Sequence, residues 1–180
     1  IAHEEVPVDL AGGAHKSSEF LAMNPNGQVP VLQDGDVTVS DSNAILVYLA
    51  RTYAPDWMPS TPIDEANVQR WLTLAAGEVA FGSCAARLIT VFGAPLDVEF
   101  ADATATKAMQ KLEHGLEGRD WLVGDRPTIA DVANYSYTAH APEGNVSLDP
   151  YPNVRAWLAR FEALPGFQAM PATAVGLAAE

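Results

Sequence analysis

Cysteine is nearly missing from these 180 residues: Cys84 is the only one. One thiol cannot close an internal disulfide. That excludes a disulfide-stapled secreted scaffold and favours a reducing compartment, the cytoplasm. Basic residues are also scarce, 10 Lys and Arg against 23 Asp and Glu, for a net charge of −13. Nucleic acids and anionic membrane surfaces both require basic patches, so neither is expected as a partner. No apolar run approaches the ~20 residues that a membrane span needs. The four histidines, His3, His15, His114 and His140, lack metal-ligand spacing, and no metal is expected. Near Ile1 there is neither the basic n-region nor the apolar h-region of a signal peptide.

What is present supports a sizeable core, since 48% of residues are hydrophobic and 18% charged. Residues 4–10 alternate, with Val6, Val8 and Leu10 on one face, which predicts a strand. Pro7 would place it at a sheet edge. Gly12-Gly13 breaks the pattern, and a short helix is expected over 17–23. Val29–Leu32 and Val37–Val39 read as two strands joined by an Asp-Gly turn. Asp41-Ser42-Asn43 supplies N-cap chemistry for a helix carrying Ile45, Leu46, Tyr48, Leu49 and Tyr53.

Three prolines fall within residues 54–62, which predicts a linker. Beyond it the spacing is helical throughout. One helix starts at Thr61-Pro62, with Val68, Trp71, Leu72, Ala75 and Val79 on one face. Others carry Ala105 to Leu116, start at Thr128 and follow Pro152. The expected architecture is α+β, in two domains: a mixed domain over 1–53, a linker over 54–62 and an all-α bundle over 63–180.

Three motifs carry a family resemblance. The run Asn24-Pro25-Asn26-Gly27-Gln28-Val29-Pro30-Val31-Leu32 is followed by Asp41-Ser42-Asn43-Ala44-Ile45 and by Gly124-Asp125-Arg126-Pro127-Thr128-Ile129-Ala130-Asp131. In this order they resemble a glutathione S-transferase, with a bacterial, theta-like glutathione-site pattern. The resemblance implies a thioredoxin-like domain followed by a helical domain. It implies a cytoplasmic, detoxifying homodimer that joins the glutathione thiolate to a small hydrophobic electrophile. Other readings stand beside it: a non-catalytic binding or scaffold protein, or a glutathione-dependent lyase, isomerase or dehalogenase.

The same resemblance assigns residues. Pro30 would follow a cis bond that turns the Val29 backbone towards the cysteinyl part of glutathione. Ser42, at a helix N-terminus, would hold the γ-glutamyl carboxylate, and Asp41 would meet its amino group. His15 and Lys16 would meet the glycyl carboxylate, with Gln28 as a further donor. Lys16 and Arg51 are the only Lys or Arg among residues 1–62, which makes Lys16 the more telling. Thr128 and Asp131 would form a structural capping box. Phe81, Arg87 and Met170 would line the electrophile pocket. Cys84, among small residues and far from any histidine in sequence, reads as a core residue rather than a nucleophile. The Ser, Tyr or Cys that steadies the thiolate in the family would lie ahead of Ile1, with a first strand and helix of about 20–25 residues. Residues 4–10 would then match the family's second strand, and no residue here is assigned as catalytic donor.

Overall fold

A tight turn between two strands needs positive φ, and Gly35 adopts 56° without steric cost. In the computed structural model, which describes residues 1–179, Gly35 and Asp36 join β1 (Val31–Asp34) to an antiparallel β2 (Val37–Ser40). β1 starts later than expected because Pro30 has no N–H to give to a ladder. Ahead of the hairpin, the Ser17 Oγ caps α1 (Ser18–Met23) by accepting the Phe20 N–H at 3.2 Å. Behind it, Asp41 caps α2 (Ser42–Tyr53) by accepting the Ala44 N–H at 2.9 Å. The Tyr53 and Tyr48 hydroxyls of α2 both donate to the Asp34 carboxylate and hold it below its usual range. Those two bonds tie the helix to the hairpin.

The strand expected over 4–10 does not form. Residues 1–9 have no regular structure, and Val6 is exposed. A strand exists through a neighbour that takes up its N–H and C=O groups. Among the described residues the sheet has two strands, and neither pairs with Val6–Leu10. Alternation described the side chains there, not the pairing.

The chain divides into two compact units, residues 1–58 and the residues from Pro59 onward. In the second, Thr61 caps α3 (Pro62–Leu74), with proline at the first turn. The helix continues through a π-helical stretch, Ala75–Cys84, into α4 (Ala85–Phe92) and stops at Gly93, whose φ is 65°. Spacing alone did not anticipate the π turns. They coincide with a run of small residues that lets backbones meet: a Cβ on Gly82 would lie 2.4 Å from the Ala105 nitrogen of α5 (Val98–Gly115). At 31 residues, Pro62–Phe92 does reach the length and apolarity of a membrane span, contrary to expectation. Its Val68, Trp71, Leu72, Val79, Ala85 and Ala86 are nonetheless buried in the helical unit.

The capping box forms as expected. Thr128 accepts the Ala130 N–H at the start of α6 (Ile129–Ala139), and Asp131 accepts the Thr128 N–H at 2.8 Å. Asp131 is fully buried and also accepts from the Leu122 N–H, the Thr128 hydroxyl and the Trp157 indole of α7 (Pro152–Glu162). Around α7, Tyr135 stacks on Phe161 with centroids 4.6 Å apart, and Phe167 meets both rings edge-on.

Candidate functional site

Hairpin register assembles the first part of the site. Val31 pairs with Ser40, so Val29-Pro30 enters and Asp41-Ser42 leaves the ladder at the same end. The Val29–Pro30 peptide is cis. Val29 is exposed, and among the described residues its backbone takes no partner in the two-strand ladder. Asn24 is buried and donates from Nδ2 to the Gln28 carbonyl at 2.7 Å, which shapes the loop ahead of it. Sequence reading used Asn24 only as part of a motif and missed this role.

Gly27 brings in the cation. Its φ is 60°, and a Cβ there would lie 2.7 Å from Lys16 Nζ and 2.9 Å from the His15 carbonyl. The Lys16 ammonium donates to the Gly27 carbonyl at 3.4 Å. Lys16 and Gln28 are both exposed, so each can reach a ligand. His15 is half-buried, and its Nδ1 has no hydrogen-bond partner.

Asp41 carries a mark invisible in sequence. Its φ of 79° and ψ of 125° fall outside the regions L residues favour. Such backbone costs of order 1–3 kcal/mol and tends to occur at ligand sites. Ser42 follows as the first residue of α2 and is exposed. The first N–H groups of a helix have no internal acceptor and favour an anion. The end of the hairpin thus offers free backbone groups, a helix N-terminus, an acid, an amide and one ammonium, which suits a zwitterionic peptide with two carboxylates.

In the second unit the expected electrophile residues differ from one another. Phe81 is 62% exposed, and Met170 is half-buried. Arg87 is buried, and its Nε donates to Glu143 at 2.6 Å. Glu143 and its partners His140 and Thr173 were missed: Arg87 and Thr173 lie 56 and 30 residues from Glu143 and leave no spacing signal, and the His140–Glu143 pair, three apart, was not singled out. Cys84 is half-buried, and burial raises its thiol pKa against the opposing effects of Tyr137 and Arg87. That leaves a neutral thiol rather than a nucleophile. Burial and the Cys84 contact push the Tyr137 hydroxyl up to about 12. Glu78 is ion-paired with Lys111. Two shallow clefts of about 280 and 490 Å³ contain none of Phe81, Arg87 and Met170. Among the described residues no cluster of His, Cys, Asp and Glu is placed to hold a metal.

The family model described as glutathione S-transferase, N-terminal domain, matches residues 1–51, and that of the C-terminal domain matches residues 96–165. A probable glutathione S-transferase of Oryza sativa subsp. japonica is 35% identical, over 92% of this chain and 82% of its own length. The crystal structure of a glutathione S-transferase from Pseudomonas fluorescens superposes with a TM-score of 0.82 at 33% identity, covering 88% of this chain and 81% of that one. A glutathione transferase homologue from Drosophila mojavensis, solved with bound glutathione, superposes with a TM-score of 0.76 at 29% identity, covering 88% and 75%.

Proposed function

Because the chain belongs to the glutathione S-transferase family and shares its glutathione-conjugating activity, we propose that the hairpin end of the first unit is its glutathione site. The first unit is the family's thioredoxin-like domain and the second its helical domain. The observation that carries the site reading is the register that brings Val29-Pro30 and Asp41-Ser42 to one end of the ladder, with Lys16 drawn in by Gly27.

Each residue then has a task. The Val29 N–H and C=O pair with the cysteinyl residue as an added strand would. Ser42 and its N–H hold the γ-glutamyl carboxylate, and Asp41 meets the adjacent ammonium. Lys16 takes the glycyl carboxylate, helped by Gln28 and His15. In a chain of net charge −13 a fixed cation is needed to offset repulsion of a dianionic peptide. The electrophile contacts are Phe81 and Met170, with Arg87 anchored to Glu143 in the same unit. The thiolate of glutathione is the nucleophile, so the reaction needs no metal. The substrate is a small hydrophobic electrophile, the working form a homodimer, and the compartment the cytoplasm. A light-scattering mass of twice the monomer at micromolar concentration is expected, and a monomer alone would remove the dimer.

Two substitutions test the glutathione site. Ser42→Ala is expected to weaken glutathione binding by about 1–3 kcal/mol, the loss of a hydrogen bond to a charged group. Titration calorimetry reads this, and unchanged affinity in a folded variant removes Ser42 from the site. Lys16→Ala is expected to weaken binding and flatten its salt dependence, since the ammonium is exposed and its attraction is screened. If affinity and salt slope both persist, Lys16 only faces solvent.

A further inference from the structure

The last stretch of the chain is held at two places. At one end, Phe167 packs edge-on against Tyr135 and Phe161. At the other, Thr173 is gripped twice: its N–H donates to Glu143 Oε1 at 3.0 Å, and its Oγ1 accepts from Arg87 Nη2 at 3.3 Å. Three residues on, Gly176 has a φ of 57° and lies so close to the 142–143 backbone that a Cβ would sit 2.8 Å from both carbonyl oxygens. Between the anchors, residues 168–172 make no backbone hydrogen bond to the rest of the described chain. Met170 is in the middle of that span and is half-buried.

The anchor at Thr173 centres on one carboxylate. Glu143 Oε1 accepts from His140 Nδ1 at 2.6 Å and from Thr173, and Oε2 accepts from Arg87. An ionised carboxylate only accepts, so the His140 proton is on Nδ1. Burial would raise the Glu143 pKa. The bonds from His140, Thr173 and Arg87 outweigh it and bring it down to about 2. The Glu143 and Arg87 side chains are 3% and 11% exposed. A buried ion pair is a poor way to gain stability alone, because apolar residues of like volume do as well. What it supplies is geometry: the two buried charges fix each other, and each also holds Thr173, Glu143 by its N–H and Arg87 by its hydroxyl.

We propose that the Arg87–Glu143 pair is a latch that holds residues 167–176 as a strap, and that both act as positioning residues for the electrophile by fixing Met170 rather than by touching the substrate. This rests on the assignment of Phe81 and Met170 to the electrophile contacts. A strap tied only at its ends sets the place of its middle through those ends, and losing one end frees every residue between.

Gly176→Ala tests the latch without touching the buried charges, and Thr173→Val removes the hydroxyl alone. Hydrogen exchange should quicken at positions 173 and 175, whose N–H groups are bonded to Glu143 and to the carbonyl of residue 173, and stay unchanged in α5 and α6. The second readout is the ratio of affinities for S-hexylglutathione and glutathione, which isolates the alkyl chain because both ligands carry the same peptide. That ratio should fall about tenfold, the effect of exposing roughly two methylenes. Glutathione affinity should not move, whereas a general loss of structure would lower both affinities together. Exchange that stays slow in both variants overturns the latch, as does a loosened strap with an unchanged ratio. Phe81→Ala separates the two levels. If it lowers the ratio while the loosened strap does not, the latch alone falls. If neither changes it, the electrophile assignment falls too.

Discussion

Asp131→Ala is expected to cost about 4 kcal/mol of folding stability. The side chain has no exposure, and its carboxylate takes four donors: the Leu122 and Thr128 N–H groups, the Thr128 hydroxyl and the Trp157 indole. Alanine leaves these donors in a dry interior, each costing about 1–3 kcal/mol if it finds no substitute. Partial relaxation keeps the total below the simple sum. The loss should show as a lower urea midpoint with an unchanged slope. A change under about 1 kcal/mol would mean that the four donors find other acceptors. Burial raises the Asp131 pKa in spite of those bonds. For a carboxyl raised on folding, the native state holds its proton longer than the unfolded state. Its contribution therefore declines as pH rises from the ordinary carboxyl range through its folded value.

Glu143→Ala is expected to cost about 3–5 kcal/mol near neutral pH, because it strands the Arg87 guanidinium without its counter-charge. The pH dependence runs opposite to that of Asp131. The Glu143 pKa is lowered on folding from 4.5 to about 2. Its stabilisation is complete above the unfolded value and is lost as pH falls towards the folded one. Urea midpoints of wild type and variant should converge as the medium is taken from about pH 6 to about pH 3. A gap that stays constant over that range would show that Glu143 acts through packing and not through its charge. The same variant also loses the acceptor for the Thr173 N–H, so exchange at that amide should quicken.

Several elements were legible because their causes are local. The Gly35-Asp36 turn, the Thr61 and Asp41 caps, and the Thr128–Asp131 box each depend on residues within a few positions of one another. Helix spacing picked out Val68, Trp71 and Leu72, and Ala105, Ala108, Met109 and Leu112, all of them buried. The ordered motifs pointed to the family, and the hairpin brings most of the residues they assigned to one end of its ladder.

Other features were not legible for reasons equally physical. Val6–Leu10 alternates like a strand, yet a strand is a relation between two segments, and the second is not written in the first. The π turns of Ala75–Cys84 answer to how near α5 comes at Gly82, a distance set by packing. The strained backbone of Asp41 has no signature in residue type. The Arg87–Glu143 pair has no spacing signal, because its members lie 56 residues apart.

By itself, the sequence determined where turns, caps and amphipathic faces fall, since these follow from φ preferences and from the 3.6 and 2 periods of the backbone. It also determined that Lys16 is one of just two Lys or Arg in the first 62 residues. Only the tertiary structure decided which carboxylates are buried, and in which direction their titration moves. Asp131 and Glu143 are both acids on or beside α6. Burial raises the pKa of the first in spite of its four neutral donors, and an arginine 56 residues away helps give the second a lowered one. Desolvation and Coulomb attraction act through space, so residues distant along the chain set them.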